Sequence, residues 1–593
     1  MNIKPQYKIA FIIALAGLQG AFAQKKDENL GTEVVNVVQT YTPTISDAFK
    51  VKETPVIEDE DNSQKEEIQY NIFSFPVAST FTPAKGKAAA VDKAAREKLY
   101  NNYATLGVGN YGTVNAELFI TENLSRTDYV GGMLRHLSSQ GGIDAAVLDD
   151  KYYNTAIDLT YGSRQSAYSW NADLGYQNKV YNWYGLPEEY IVGVSGEDIN
   201  AIDPQQTYHS LYVGGKIAAE KSFFHDASAQ YKRFWDAYGS AENRFFVKPS
   251  LDIDVMSEKI KLDFIADYVG GTFEETLNPL ITTGNEYSHF NLGLQPSIQY
   301  QNKDLSVQLG AGLFYSMGKV NGESDSKFFV YPQVKASYKL VEGLLVAYAG
   351  AEGTLKQNSY ADVVDENPFV SPTLVIAPTD QQYDIYVGLK GKLANTVAYN
   401  LRGSYMNEDN RLFFQSNAAL FSNVPGPGAN LDGYAYNNSF GLVYDRLRTI
   451  SFFGELKADI SDNVSFGMNG SYFSYDTDQA EAWNLPSIKV GANLDVDITE
   501  KWYAGTNIFF VGERKDIETI PDDVLIFPQS YSPQVVTLKS YFDLNAHVGY
   551  KYSERLTGFL RLNNIASQDY ERWVNYPVQG FQFLVGASYK FNF

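Results

Sequence analysis

No cysteine occurs in the 593 residues, which excludes a disulfide framework and leaves no thiol for a lipid anchor behind a cleaved leader. Histidine is nearly as scarce. The five stand at His136, His209, His225, His289 and His547, and no two have the spacing of a metal-ligand pair, so neither a metal nor another cofactor is expected. Long apolar runs are missing as well: after Ile9–Leu18 no stretch approaches the roughly 20 apolar residues that a membrane-spanning helix needs. A helical membrane protein is thereby excluded. Positive charge is in deficit, with 48 Lys and Arg against 70 Asp and Glu and a net charge of −22, which disfavours nucleic acid as a partner.

What is present points elsewhere. Lys4 and Lys8 precede the run Ile9–Leu18, and Ala21-Phe22-Ala23 supplies small residues for a signal peptidase, so residues 1–23 read as a signal peptide and the mature chain starts at Gln24. Loss of those two lysines, with no acidic residue among the first 23, lowers the net charge from −22 to −24. The chain holds 44 tyrosines, 36 phenylalanines and 47 glycines, yet its mean hydropathy is negative. A soluble chain of this length normally divides into several domains with Leu-rich helical segments. Aromatic and Gly enrichment with hidden hydrophobicity is instead the mark of a membrane barrel.

A barrel strand touches lipid with one face and the lumen with the other, so its hydrophobicity has period two. Leu305, Val307, Leu309, Ala311, Leu313, Tyr315 and Met317 alternate with Ser306, Gln308, Gly310, Gly312 and Ser316, with Phe314 out of pattern. Val490, Ala492, Leu494, Val496 and Ile498 alternate with Lys489, Gly491, Asn493, Asp495 and Asp497, and charges of that kind are costly in hydrocarbon. Phe542, Leu544, Ala546, Val548 and Tyr550 alternate with Asp543, Asn545, His547 and Gly549. Lys489, Asp495, Asp497, Asp543 and His547 are therefore the candidate lumen-facing residues.

Short turns are expected at Ser257-Glu258-Lys259, Asn302-Lys303-Asp304, Val341-Glu342-Gly343, Ser461-Asp462-Asn463, Thr499-Glu500-Lys501 and Ser553-Glu554-Arg555. Between them run long connections at 182–208, 273–288, 355–382, 408–449, 476–488, 512–540 and 564–579. With all short turns on the periplasmic side, residues 103–593 form an all-β, antiparallel, up-and-down transmembrane barrel of about 22 strands. Arg411–Gln415 and Tyr436–Leu447 read either as a hairpin raised above one strand pair or as an additional pair. Pro296 and Pro332 predict bulges or local loss of pairing.

Residues 24–102 differ in composition. They contain Pro43, Pro55, Pro76 and Pro83, an acidic run Glu58–Asp61 and an Ala-rich stretch Ala88–Leu99 that reads as one short helix. Too polar to bury a core of its own, this arm is expected in the periplasm or the lumen. At the other end, Phe581, Phe583, Val585, Ala587, Tyr589, Phe591 and Phe593 form one outward face.

That terminal strand, with Phe583, Gly586, Tyr589, Phe591 and Phe593, resembles the signal by which the barrel assembly machinery recognises outer-membrane proteins. Leu562-Asn563-Asn564-Ile565, Tyr570, Trp573, Tyr576-Pro577, Gly580 and Ser588-Tyr589-Lys590-Phe591 look like the last strands of TonB-dependent receptor barrels of the Bacteroidota. Thr32-Glu33-Val34-Val35-Asn36-Val37-Val38 is similar to the Val-rich stretch by which such receptors engage TonB or begin their plug. The resemblance implies Thr32, Glu33, Val34, Val35, Val37 and Val38 as a TonB-contact segment, and a plug domain for which residues 24–102 are too short. It also implies that infolded loops, the arm or a separate protein must narrow so wide a lumen.

Two functions follow. The first is transport across the outer membrane by a receptor-like barrel. The second is a plugless scaffold or accessory subunit of an outer-membrane protein assembly or secretion complex. Outer-membrane lipid and the barrel assembly machinery are expected partners in both, with TonB or other outer-membrane and periplasmic proteins as further candidates. No constellation of nucleophile and base singles out an enzyme.

Overall fold

The period-two pattern is realised as 22 antiparallel strands hydrogen-bonded into one sheet. The computed structural model describes residues 100–593 apart from 188–198, 221–222, 256–257, 278–282, 418–431 and 522–530. The expected signal peptide, the Thr32–Val38 segment and the short helix Ala88–Leu99 lie outside the described residues. The sheet closes on itself because Asn102–Gly109 pairs with Val114–Asn123 on one side and with Gln582–Phe591 on the other, in a register from Asn102↔Phe591 to Gly109↔Leu584. A closed wall satisfies every strand edge where no water can do so.

Alternation sets the two faces. Leu309, Tyr315 and Met317 are exposed on the outer wall while Gly312 and Ser316 are buried within. Phe314, out of pattern in the sequence, is buried on the inner face against Tyr331 and Leu355. The expected turns at Asn302–Asp304, Thr499–Lys501 and Ser553–Arg555 fall between consecutive strands, those at Val341–Gly343 and Ser461–Asn463 begin on the last residue of a strand, and Ser257 of the remaining one lies outside the described residues. These turns share one rim, and the longer connections, as far as they are described, lie at the other. Arg411–Gln415 is the continuation of the strand Val397–Ser416, which resumes pairing after a bulge between Glu408 and Arg411 and runs to Ser416↔Phe440. It is a raised hairpin and adds no strand to the 22.

Both prolines act through their missing N–H. Pro296 keeps its partner Leu262 but drops out of pairing with the next strand between Leu294↔Leu313 and Ser297↔Gly310, without a register shift. Pro332 pairs with Ala311, whereas pairing with Leu345–Lys356 begins only at Gln333. The wall is uneven in height. Strands from Ile488–Asp497 round to Val114–Asn123 have 8 to 11 residues, close to the about 9–11 that a bilayer needs, while Val397–Ser416 and Phe440–Ser461 have 20 and 22 and extend well beyond it.

The pairing also explains the tyrosine and glycine content. Inside the wall, tyrosine rings lie across glycines on neighbouring strands: a Cβ on Gly388 would stand 2.2 Å from Tyr348 Cζ, and one on Gly549 would stand 2.1 Å from Tyr503 Cζ. Aromatic cover compensates for the side chain that glycine lacks and leaves the ring's hydroxyl free to bond across the wall. Tyr348 OH, for example, donates to Asn400 Oδ1 at 2.7 Å.

Candidate functional site: the filled mouth and the polar lumen

The connection 357–378, between strands Leu345–Lys356 and Thr379–Ala394, turns into the barrel rather than out of it. Its first part is the helix Tyr360–Glu366, started by Ser359, whose hydroxyl accepts from the Asp362 N–H at 3.2 Å. Pro368, Pro372 and Pro378 disfavour helix in the remainder. Tyr360, Ala361, Val363, Val364, Val370, Leu374 and Ile376 from this segment join Tyr208, Phe234, Val269, Phe273 and Tyr287 of the wall in one buried cluster. Phe414, Phe440, Leu538, Trp573, Val574 and Tyr576 complete it. The mouth of the barrel at the rim of the long connections thus holds a hydrophobic core, although a hollow barrel has no such core by construction.

Polar anchors fix the segment to opposite sectors of the wall. Tyr360 OH donates to Asp236 Oδ2 at 2.8 Å, and its backbone N–H donates to Glu242 Oε2 at 2.6 Å. Tyr287 OH donates to the same Glu242 oxygen at 2.5 Å. Arg244 bridges Asp267 at 2.7 Å and Asp362 at 3.1 Å, and Lys179 pairs with Asp365. Trp183 Nε1 donates to the Phe369 carbonyl at 3.1 Å, and Tyr208 OH donates to that of Pro368 at 2.9 Å. On the far side the Ala377 N–H donates to Tyr444 OH at 3.0 Å. Burial, reinforced by the Asp236 carboxylate, holds the Tyr360 hydroxyl well above its ordinary pKa, so it stays a donor at any physiological pH.

Two small hairpins outside the barrel sheet close over the segment. In Glu571–Trp573 with Tyr576–Pro577, the Tyr576 ring stacks on Phe369 at 3.9 Å. In Arg514–Pro521 with Tyr531–Leu538, Arg514 donates to the carbonyls of Glu571 and Arg572, locking one hairpin to the other. Asp516 is fully buried and accepts from the Ser416 N–H at 3.2 Å and from Asn484 Nδ2 at 2.8 Å. Burial raises its pKa from 3.8 to about 6, against the lowering effect of those bonds. Because the folded value lies above the unfolded one, the stability that Asp516 contributes is complete below 3.8 and is lost as the pH rises through about 6. Amide protection factors of the described residues of this hairpin, which are exchange rates divided by the intrinsic rate at each pH, are therefore expected to be higher at pH 5 than at pH 7.5, and Asp516→Asn should abolish that difference in protection.

Below the mouth the interior is polar. Asp495, Gly505, His547 and Arg561 lie in one cross-strand row, and a Cβ on Gly505 would stand 2.4 Å from His547 Cε1 and 2.7 Å from Asp495 Oδ1. Asp543 is buried higher up, near Asn545, while Asp497 is exposed opposite Tyr503. Lys489 sits opposite Val511 and within the electrostatic reach of Glu366, Arg411 and Arg514. Of the five lumenal candidates only Asp495 and His547 come together. Among the described residues no group of three or more His, Asp or Glu is placed to hold a metal. On the terminal strand Phe583, Tyr589 and Phe593 are exposed outward, Phe591 packs edge-on against Phe593 at 5.5 Å, and Gly586 lies under the Phe559 ring.

Sequence reasoning named Trp573 and Tyr576 of the mouth only as part of a terminal motif and did not single out segment 357–378. A signal was there: Phe369, Val370, Leu374, Val375 and Ile376 are more apolar than a solvated loop requires.

No family model and no curated protein matches the chain. Solved structures do. The ferripyoverdine receptor of the outer membrane of Pseudomonas aeruginosa superposes with a TM-score of 0.58 at 10% identity, covering 83% of this chain and 72% of the receptor. The ferric-catecholate import receptor Fiu of E. coli K12 gives 0.59 at 11% identity over 84% and 82% of the two chains. The fold is that of outer-membrane receptor barrels. The FrpB iron transporter from Neisseria meningitidis gives 0.60 at 10% identity over 83% and 82%. At such identities the likeness is one of architecture, and it agrees with the closed 22-strand wall.

Proposed function

We propose that the chain is a receptor-like outer-membrane barrel that serves transport, with its passage closed at the extracellular mouth by segment 357–378. The observation that carries this reading is that the closure is a separable element. Its covalent links to the wall are only at Lys356 and Thr379, its other attachments are side-chain anchors and one β-bridge between Val370 and Phe440, and the lumen beneath it is lined by charged and polar groups such as Asp495, Asp497 and His547. Wall and stopper are thus distinct, as gating requires. Thr32–Val38 is the candidate TonB-contact segment that would deliver work to the closure, and the C-terminal face from Phe583 to Phe593 the candidate signal for barrel assembly. In planar bilayers the native protein is expected to conduct poorly. Replacement of residues 360–376 by a short Gly-Ser linker is expected to give a large, persistent pore; an equally silent variant would remove the support for a gated passage.

A second reading is favoured by a different observation. The mouth is packed like a domain interior, with an apolar core and paired anchors, which suits a permanently shut barrel acting as a scaffold or accessory subunit of an assembly or secretion complex. Stoichiometric outer-membrane or periplasmic partners recovered with the native protein, together with silence of both proteins in bilayers, would favour it over transport.

A further inference from the structure

Although acidic residues outnumber basic ones by 70 to 48 in this chain, lysines gather at one place on the inner wall. Lys339, Lys390, Lys392 and Lys457 surround a concavity of about 620 Å³ beside the short turns at 342–344 and 395–396, hence at the periplasmic rim. Register places all four on the lumenal face: Lys390 pairs with Asn400 and Lys392 with Ala398, positions that alternate with the outward Leu389 and Leu401. Lys457 is engaged by Glu455 at 2.7 Å. Lys339 donates to the Lys303 carbonyl at 3.1 Å, and the Lys390 ammonium lies over the Tyr348 ring at 5.6 Å. Among the described residues none of Lys339, Lys390 and Lys392 forms an ion pair, and all three are exposed. Just above them the lumenal cations are already neutralised, Lys335 by Glu352 at 2.8 Å and Arg402 by Asp384. At the rim itself Glu342 and Glu455 are the only carboxylates of the lining, and Glu455 is taken by Lys457.

The same chain carries the complementary charge outside the described residues. Glu58-Asp59-Glu60-Asp61 is followed by Glu66 and Glu67, with Lys65 the one cation between them. From Glu67 to Tyr100 the tether can span up to about 110 Å when extended, well beyond the bore of a barrel of this size. The tether also reaches the wall on the right side. Asn102 pairs with Phe591 at the rim that bears the short turns, so the preceding chain starts level with the lysines. Tethering raises the effective concentration of the acidic run at the rim to a level at which weak, screened ion pairs suffice.

We propose that the acidic run Glu58–Glu67 docks on the lumenal lysine patch formed by Lys339, Lys390, Lys392 and Lys457. The inference goes beyond either reading of function, since a docked arm is compatible with a gated passage and with a closed scaffold.

The absence of native cysteine permits a direct test in the full-length protein. Asn62→Cys beside the acidic run is combined with Ala398→Cys in the lining of the concavity, or with Ala218→Cys on a distant part of the lumenal wall as control, and mild oxidation is applied to the detergent-purified barrel. Disulfide formation in the monomer is expected to be about tenfold faster for the first pair and to fall to the control rate in molar salt. Reversal of Lys339, Lys390 and Lys392 to Glu should abolish the preference, and reversal of Glu58, Asp59, Glu60 and Asp61 to Lys in the same protein should restore it. Resistance of the barrel to unfolding in cold detergent on a gel verifies that each variant is folded. Equal rates for both pairs, indifference to salt, a dimer-only crosslink or failure of the charge swap to restore the preference would overturn the proposal.

Discussion

Tyr360→Ala is expected to release segment 357–378 from the mouth. The ring is fully buried among Tyr208, Phe234 and Phe273, with Phe234 edge-on at 5.0 Å and Phe273 at 4.8 Å. Removing a buried aromatic side chain costs about 3–5 kcal/mol. The loss also strips Asp236 of the hydroxyl that bonds it at 2.8 Å, leaving a buried carboxylate short of a donor. That sum is a large share of what holds a 22-residue segment whose only covalent links to the wall are at its two ends. Amide exchange across 357–378 should accelerate by orders of magnitude, while exchange in the strands below stays slow. Tyr360→Phe separates the contributions. It keeps the ring and loses only the hydroxyl bond, so a destabilisation of about 1–3 kcal/mol is expected. Equal effects of the two substitutions would show that the apolar contacts are dispensable.

Gly586→Val is expected to prevent assembly of the barrel altogether. A Cβ at this position would lie 2.4 Å from Phe559 Cζ, 2.5 Å from the Leu106 carbonyl oxygen and 2.8 Å from Gly107 Cα. The ring can turn away; the two backbone atoms belong to the strand that closes the wall. Asn102–Gly109 would have to shift away from Gln582–Phe591, and that is the only pairing that joins the first strand to the last. The measurement is the fraction of membrane-inserted protein that stays compact in cold detergent on a gel and shifts on heating. It should fall from nearly all to nearly none. Phe559→Leu combined with Gly586→Ala removes part of the steric conflict and is expected to restore only a fraction, because the carbonyl contact remains.

The barrel was legible in the sequence because its cause is local. Lipid on one side and water on the other impose a period of two on every strand, and the rim that faces the periplasm keeps its turns short, so strand number, faces and turns could be read from Leu305–Met317 or Phe542–Tyr550 without knowledge of their neighbours. Phe314 broke the pattern for a reason that is not local: its partners Tyr331 and Leu355 come from other strands. The same holds for the mouth. Asp236, Glu242, Tyr287 and Tyr360 are scattered over more than 120 positions, and nothing in any one segment says that they meet. Pro332 shows an intermediate case. Loss of pairing follows from its chemistry, but the free edge above it exists because the adjacent strand, after a bulge between Glu352 and Thr354, pairs on to Lys356 only with its other neighbour. Lumenal charges such as Lys489 and Asp543 were assigned a face by alternation, whereas their grouping with Arg514 or Asn545 depends on register.

Everything proposed for the mouth depends on segment 357–378 lying inside it in the membrane. The most direct measurement is labelling of single cysteines by a membrane-impermeant thiol reagent applied to intact cells, which no native cysteine can confuse. Val370→Cys, at a fully buried position in the segment, should remain unlabelled, while Val147→Cys, 45% exposed between strands Asp128–Ser139 and Tyr152–Arg164, should react rapidly. Labelling of both at the same rate would contradict a filled mouth.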